Sequence, residues 1–231
     1  WLKPGSGAAR LLSALSRFSF RKARTLVVLD RFMKQRLIEK GIAEEKIAVI
    51  PPWSHDDVIG YDTTGREAFR SRHGLAGKFV VMYSGNHSPC HPLDTLLKAA
   101  LRLAEHSEIV FCFVGGGSEF AKVKQFQLHY GLHNIVTLPY QPLDQLSSSL
   151  SAADLHVVVM GDPFVGILHP CKVYNILHLG IPFLYIGPTE SHVVDLVQQW
   201  PLAGPGFLAR HDQVDLVVTH ILTATRIPRT E

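Results

Sequence analysis

The sequence is poor in charge. Asp, Glu, Lys and Arg make up 19% of 231 residues, and 23 basic against 20 acidic side chains leave a formal net charge of +3. A nucleic-acid binder carries a strongly basic face, so this balance argues against one. Cysteine is scarce too. Cys90, Cys112 and Cys171 lie far apart with no Cys-x-x-Cys pair, which excludes a disulfide scaffold and a cysteine-based structural zinc site and makes a reducing compartment the default. The start shows no secretory signal, and no short-period repeat or low-complexity tract occurs. The longest uncharged run, 173–189, contains Asn175, His178 and the Gly180-Ile181-Pro182 break, so it reads as a buried helix followed by a buried strand, not as a membrane span. The chain opens on Trp1 rather than Met, and a piece of a longer protein is expected.

What is present is core material. Hydrophobic residues reach 46% and aromatics 9%, enough to exclude wholesale disorder. Strand-like runs and helical patterns alternate from end to end. Leu11, Leu12, Leu15 and Phe18 mark one face of a first helix, followed by a strand at 25–29, a helix at 31–40 closed by Gly41, and a strand at 46–50 stopped by Pro51-Pro52. Residues 53–64 are polar and turn-rich, as a linker is. From about residue 65, after a short helix at 66–73, strands are expected at 79–83, 109–114, 135–138, 155–160, 183–186 and 207–209. Helices are expected at 92–105, 119–130, 143–152, 171–179, 191–198 and 212–224. Continuous apolar blocks such as Phe79-Val80-Val81-Met82 suit parallel strands covered on both faces. The fold class is therefore α/β, a Rossmann-like, doubly wound parallel sheet over 65–231, preceded by a smaller fragment over 1–52.

In such sheets ligands sit outside the carboxyl ends of the strands, which directs attention to four loops. Ser84-Gly85-Asn86-His87-Ser88 follows a strand and precedes a helix; it suits either an anion near the backbone or a tight turn. Val114-Gly115-Gly116-Gly117-Ser118-Glu119 fails as a dinucleotide fingerprint because Phe120 stands where the third glycine is needed, but its glycines suit close approach of a ligand or a neighbouring loop. Leu138-Pro139-Tyr140-Gln141-Pro142 is held extended by its prolines and offers backbone groups and a ring to a flat base, or is a simple turn. The richest loop runs from Gly161 through Gly166 to Pro170-Cys171-Lys172-Val173-Tyr174-Asn175. It places a lysine in a helix's first turn, where the dipole opposes it unless an anion is bound. The opposing view is a solvated lysine whose stem covers apolar surface. Thirteen histidines invite a metal, but His87, Cys90 and His91 supply only three ligands, so no metal is assigned. No Gly-x-Ser-x-Gly elbow or His-Glu-x-x-His pair occurs.

In this order and spacing the loops resemble the GT-B glycosyltransferases of the group 1 family, which are retaining and nucleotide-sugar-dependent. The likeness runs from Thr25-Leu26-Val27-Val28-Leu29 and Ile47 to Trp53 through Tyr83-Ser84-Gly85-Asn86, Val114 to Gly117, Ala153-Asp154 and the segment from Pro170 to Pro182. Members with a Pro-Ser-Lys-like element fit best; here it reads Pro170-Cys171-Lys172. The resemblance implies that residues 65–231 form the C-terminal donor-binding domain, that 1–52 are the tail of the N-terminal acceptor domain, and that 53–64 link them. It implies Lys172 and His87 as catalytic groups that stabilise the departing diphosphate. Gly85, Asn86, His91, Gly115, Gly116, Tyr140, Gln141, Gly166, Pro170, Cys171, Val173, Tyr174 and Asn175 would bind the donor. The family's two glutamates eight positions apart correspond to Ile167 and Asn175, and its arginine and lysine after the first strand to Asn86 and His91. Lys172 would take over phosphate neutralisation, and Asn175 would meet the ribose hydroxyls.

The partners implied are a nucleotide-sugar donor of UDP or GDP type and a glycan or lipid-linked acceptor in polysaccharide biosynthesis. No cofactor, metal or nucleic acid is implied. The compartment expected is the cytoplasm, with peripheral contact at the inner face of the membrane through a further N-terminal half as an added expectation. The basic stretch of Arg10, Arg17, Arg21, Lys22 and Arg24 suits anionic lipid, but an ordinary helix of a truncated domain explains it better. Competing readings are a nucleotide-sugar epimerase or hydrolase of the same architecture, a non-catalytic nucleotide-binding relative and, more weakly, a dinucleotide oxidoreductase.

Overall fold

A computed structural model describes residues 3, 5–52, 59–199 and 206–228. The chain divides into two compact units, residues 1–52 with 165–169 and residues 53–164 with 170–231.

The smaller unit contains α1 (Gly7–Lys22), β1 (Leu26–Val28), α2 (Arg31–Glu39) and β2 (Ile47–Val49), with the two strands parallel and Leu26 opposite Ile47. Both helices begin as their sequences dictate: Ser6 Oγ accepts from the Ala9 N–H, and Asp30 accepts from the Met33 N–H. Val28, Leu37, Ile42 and Ile47 form a small core, while Leu11, Leu12, Leu15 and Phe18 of α1 are exposed. Residues 165–169 join this unit, which the sequence did not reveal. Arg36 Nε donates to the Val165 carbonyl at 2.7 Å, and His169 Nδ1 lies 2.7 Å from an Asp30 carboxylate oxygen. Gly166 has φ +69°, and a Cβ there would come within 2.6 Å of the Phe32 carbonyl. Its glycine thus answers to packing against α2.

The larger unit is the expected parallel sheet. Its strands are β3 (Phe79–Asn86), β4 (Ile109–Gly116), β5 (Ile135–Leu138), β6 (Leu155–Val159), β7 (Phe183–Ile186) and β8 (Gly206–Ala209), in the order β5-β4-β3-β6-β7-β8 and all parallel. Alternate residues of β3 face opposite layers. Val81 and Tyr83 join Phe111, Phe113, Leu96, Ala100, Val217 and Ile221 on one side. Val80 and Met82 join Cys112, Val114, Phe69, Leu150 and Leu179 on the other. Both faces are dry, which is why the strands read as unbroken apolar blocks. Each buried Leu or Phe contributes about 1.5–3 kcal/mol.

The helices of this unit are α3 (Thr63–Arg72), α4 (Asp94–Arg102), α5 (Phe120–Tyr130), α6 (Leu146–Ser151), α7 (Lys172–His178), α8 (His192–Gln199) and α9 (Val214–Ala224). Some boundaries move from expectation. Residues 53–58 of the expected linker lie outside the described residues, but its end packs on the sheet unit. Ile59 is buried, the Gly60 N–H donates to Ser147 Oγ, and Asp62 caps α3 by accepting from the Gly65 N–H at 2.8 Å. Asp62 is thus a cap where linker polarity was expected. The helix expected at 143–152 begins as a 3-10 turn, Leu143–Gln145, before α6. Helix α9 starts two residues late because Asp212 is left-handed, φ 65°, with its N–H donating to Thr95 Oγ1 at 2.9 Å. The uncharged run from 173 does fold as a helix and a buried strand, α7 and β7.

Candidate functional site

The strand order reverses between β3 and β6, and that switch point is where a doubly wound sheet opens a crevice at its carboxyl edge. Strands β3 and β4 run further toward it than expected. Their pairing continues as Ser84–Val114, Gly85–Gly115 and Asn86–Gly116, so the first two loops begin as strand. The glycines permit this. Gly85, Gly115 and Gly117 have φ of 134°, 133° and 128°; a Cβ on Gly115 would lie 2.1 Å from the Gly85 carbonyl, and one on Gly117 2.2 Å from that of His87. The close approach those glycines serve is therefore between the two loops. The His87 N–H donates to Gly116 O at 2.8 Å, and the Glu119 N–H donates back to His87 O at 3.1 Å.

Lys172 opens α7, and its Nζ is enclosed over the end of β3. The ammonium sits 3.8 Å from the centroid of the Tyr83 ring and has no hydrogen-bond partner among the described residues. A Cβ on Gly85 would lie 2.9 Å from Nζ, so glycine at 85 is what makes room for it. Burial pulls the Lys172 pKa down to about 7. Beneath it, the buried Tyr83 hydroxyl donates to the Asn86 carbonyl at 2.7 Å, and burial pushes its pKa up, so it stays protonated.

The histidines differ from expectation. His87 is fully buried, edge-on to Tyr83 at 4.9 Å and to Phe120 at 4.7 Å, with Nδ1 3.0 Å from Gly85 O. Burial, and the nearby Lys172 to a lesser degree, drive its pKa down to about 4. His91 is buried with Nδ1 2.6 Å from Val159 O, and burial and then Lys172 lower its pKa as well. A carbonyl only accepts, so Nδ1 carries the proton in both rings and each is neutral near pH 7. Both serve to fix loops, and the positive charge at this edge falls to Lys172.

The first turn of α7 also departs from expectation. The Val173 and Tyr174 N–H groups donate to Pro170 and Cys171 carbonyls at 3.2 and 3.1 Å, so these two amides are engaged within the turn. Val173 is buried in the core, Pro170 is buried, Cys171 is exposed, and Tyr174 and Asn175 are half-buried. Gly166 and Ile167 belong to the smaller unit. At the far side of the β3–β4 pair, exposed Tyr140 lies against Gly116, its hydroxyl donating to Gly116 O at 3.2 Å, and Gln141 Nε2 donates to Pro139 O at 2.8 Å. Asn86, the last residue of β3, is exposed. The structure thus gathers Gly85, Asn86, His87, His91 and Lys172 around the end of β3, with Gly115, Gly116 and Tyr140 alongside. Tyr83 entered the sequence reading only as part of the likeness, not as a site residue. Its signal was an aromatic two residues before Gly85, which strand alternation puts on the same face.

Residues 65–164 match the family model described as Glycosyl transferases group 1. Over 97% of this chain and 55% of its own length, the putative colanic acid biosynthesis glycosyl transferase WcaI of Escherichia coli K12 is 27% identical. The probable glycosyltransferase WbjE of Pseudomonas aeruginosa is 25% identical over 84% of this chain and 49% of its own. The chain thus spans about half the length of the curated relatives it matches. Among solved structures, Anabaena Alr3699/HepE in complex with UDP-glucose superposes with a TM-score of 0.78 at 16% identity, covering 94% of this chain and 58% of that one. WaaG, a glycosyltransferase involved in lipopolysaccharide biosynthesis, gives 0.71 at 15%, covering 94% and 59%. The fold is that of the GT-B glycosyltransferases.

Proposed function

We propose that this chain is the donor-binding part of a retaining glycosyltransferase that uses a nucleoside-diphosphate sugar of UDP or GDP type, and that the parent enzyme transfers the sugar to a glycan or lipid-linked acceptor in polysaccharide biosynthesis. The observation that carries this reading is the Lys172 ammonium, enclosed at the switch point with no partner among the described residues. A buried cation without a counter-charge is costly, and an anionic ligand removes the cost. As the glycosidic bond breaks, the departing diphosphate gains negative charge, and a pre-placed ammonium stabilises that charge more in the transition state than in the ground state. The proposal assigns this task to Lys172 without a metal. Tyr140 and the 140–141 backbone take the base, with Gly85, Asn86, Gly115 and Gly116 forming the wall between base and phosphates. Asn175 is assigned to the ribose hydroxyls.

Calorimetry of this chain with UDP, GDP and ADP beside the free nucleosides tests the reading. A charge-assisted contact contributes about 1.5–3 kcal/mol, so Lys172→Ala is expected to weaken diphosphate binding about tenfold or more. Nucleoside binding should hardly change. Equal diphosphate affinities for the wild type and the variant would remove the assignment.

A further inference from the structure

Lys172 has an unusual neighbour in place of the expected one. A buried ammonium is ordinarily held by a carboxylate, and no such partner meets Nζ among the described residues. What meets it is the face of Tyr83, 3.8 Å away at the ring centroid. The charge-bearing and titratable groups that act on Nζ come from three elements. Tyr83 and His87 lie on β3 and its loop, His91 precedes α4, and His156 lies on β6 with Nε2 3.0 Å from Leu150 O. All three histidines are held toward their neutral forms by burial, so none repels the ammonium and none compensates it.

Tyr83 is itself held at both ends. It is buried, packed edge-on to His87, and tied through its hydroxyl to the Asn86 carbonyl at 2.7 Å. One end of the side chain thus sets the β3 loop, and its face sets the lysine. Resting on the site assigned under Proposed function, we propose that Tyr83 is a positioning residue: its ring face carries the Lys172 ammonium where a carboxylate would ordinarily stand, leaving the full charge for a bound diphosphate. A carboxylate there would neutralise the lysine and repel the phosphates. A ring quadrupole favours the cation without a net charge of its own. The role is distinct from phosphate contact, since Tyr83 touches Lys172 and not the anion.

The test is a calorimetric cycle on the 231-residue chain, with UDP and uridine as probes, from about pH 6.5, above the phosphate's own pKa, to about pH 9. Wild-type UDP affinity should decline as pH rises past about 7, where the free lysine loses its proton. Tyr83→Leu should weaken UDP about 2- to 30-fold and move that decline to lower pH by roughly 0.5–1.5 units, with uridine unchanged. Tyr83→Phe keeps the ring and should keep the pH profile. On a Lys172→Met background, Tyr83→Leu should cost nothing further. An equal loss with and without Lys172, or an unmoved pH profile, would overturn the proposal and leave the phosphate site standing. If Lys172→Met alone leaves UDP affinity intact, the site reading itself falls. Should Tyr83→Leu fail to fold, the lysine methylene resonances of the wild type decide: an upfield ring-current shift for Lys172 supports the stacking, and its absence overturns it.

Discussion

At the residue scale, Lys172 sets stability against binding. Its pKa falls to about 7 on burial, from 10.5 in the open chain. Between those two values the unfolded chain holds more protons than the folded one, so this residue makes stability rise with pH across that window. Below about pH 7 the cost of the buried charge is present in full. Lys172→Met keeps much of the volume and removes the charge. Without ligand at pH 7 it is expected to raise Tm by at least about 2–4 °C, equivalent to about 1 kcal/mol, and to flatten the rise in stability toward pH 10. The same variant should lose the stabilisation that UDP gives the wild type. Differential scanning fluorimetry at several pH values, with and without UDP, measures both. A variant no more stable than the wild type would mean that the ammonium is solvated.

At the scale of elements, one contact holds the carboxyl edge on which the site lies and another holds the opposite, amino edge of the same sheet. The β3–β4 loops touch through glycine, and Gly115→Ala puts a Cβ against the Gly85 carbonyl at a φ of 133°. The expected cost is about 1–3 kcal/mol, read by urea unfolding, with weakened UDP binding because the loops part. The second contact joins α3 to the start of β6. Asp154 accepts from Arg66 and Arg70 through its two oxygens, each at 2.5 Å, and from the Val80 N–H at 2.7 Å, with all three side chains mostly buried. Removing one member leaves buried guanidinium groups uncompensated, so Asp154→Asn should cost about 3–5 kcal/mol. A loss below about 1 kcal/mol would show that water reaches the cluster.

At the scale of the molecule, saturation is the informative measurement. UDP or GDP at about 100 times its Kd should stabilise the sheet unit by about 2.7 kcal/mol. With a chain that divides into two units, the shift must be read on that unit's own transition, since one melting temperature need not describe both. The same 231 residues are expected to bind the diphosphate without transferring sugar to an added oligosaccharide or lipid-linked acceptor. A radiolabelled donor, with product separated by chromatography, decides. Robust transfer would place acceptor chemistry within this chain.

Sequence alone determined the alternation of strands and helices, because two-faced burial writes itself as apolar blocks such as Phe79 to Met82, and a helix as periodic leucines. It also determined that Lys172 opens a helix, since local chemistry fixes local structure. It marked Gly85, Gly115 and Gly117 as special but not why. The partner of each glycine lies on another strand or helix, and proximity across the sheet has no local signature. Burial was hidden for the same reason. His87 and His91 looked like polar loop residues, yet tertiary packing surrounds them with Tyr83, Phe113, Phe120 and a strand carbonyl and holds them neutral. Only the fold brought Tyr83 beneath Lys172, 89 positions along the chain, and so decided that the lysine would be dry, would titrate near pH 7 and would meet no carboxylate among the described residues: desolvation depends on what surrounds a charge in space, not on its neighbours in sequence.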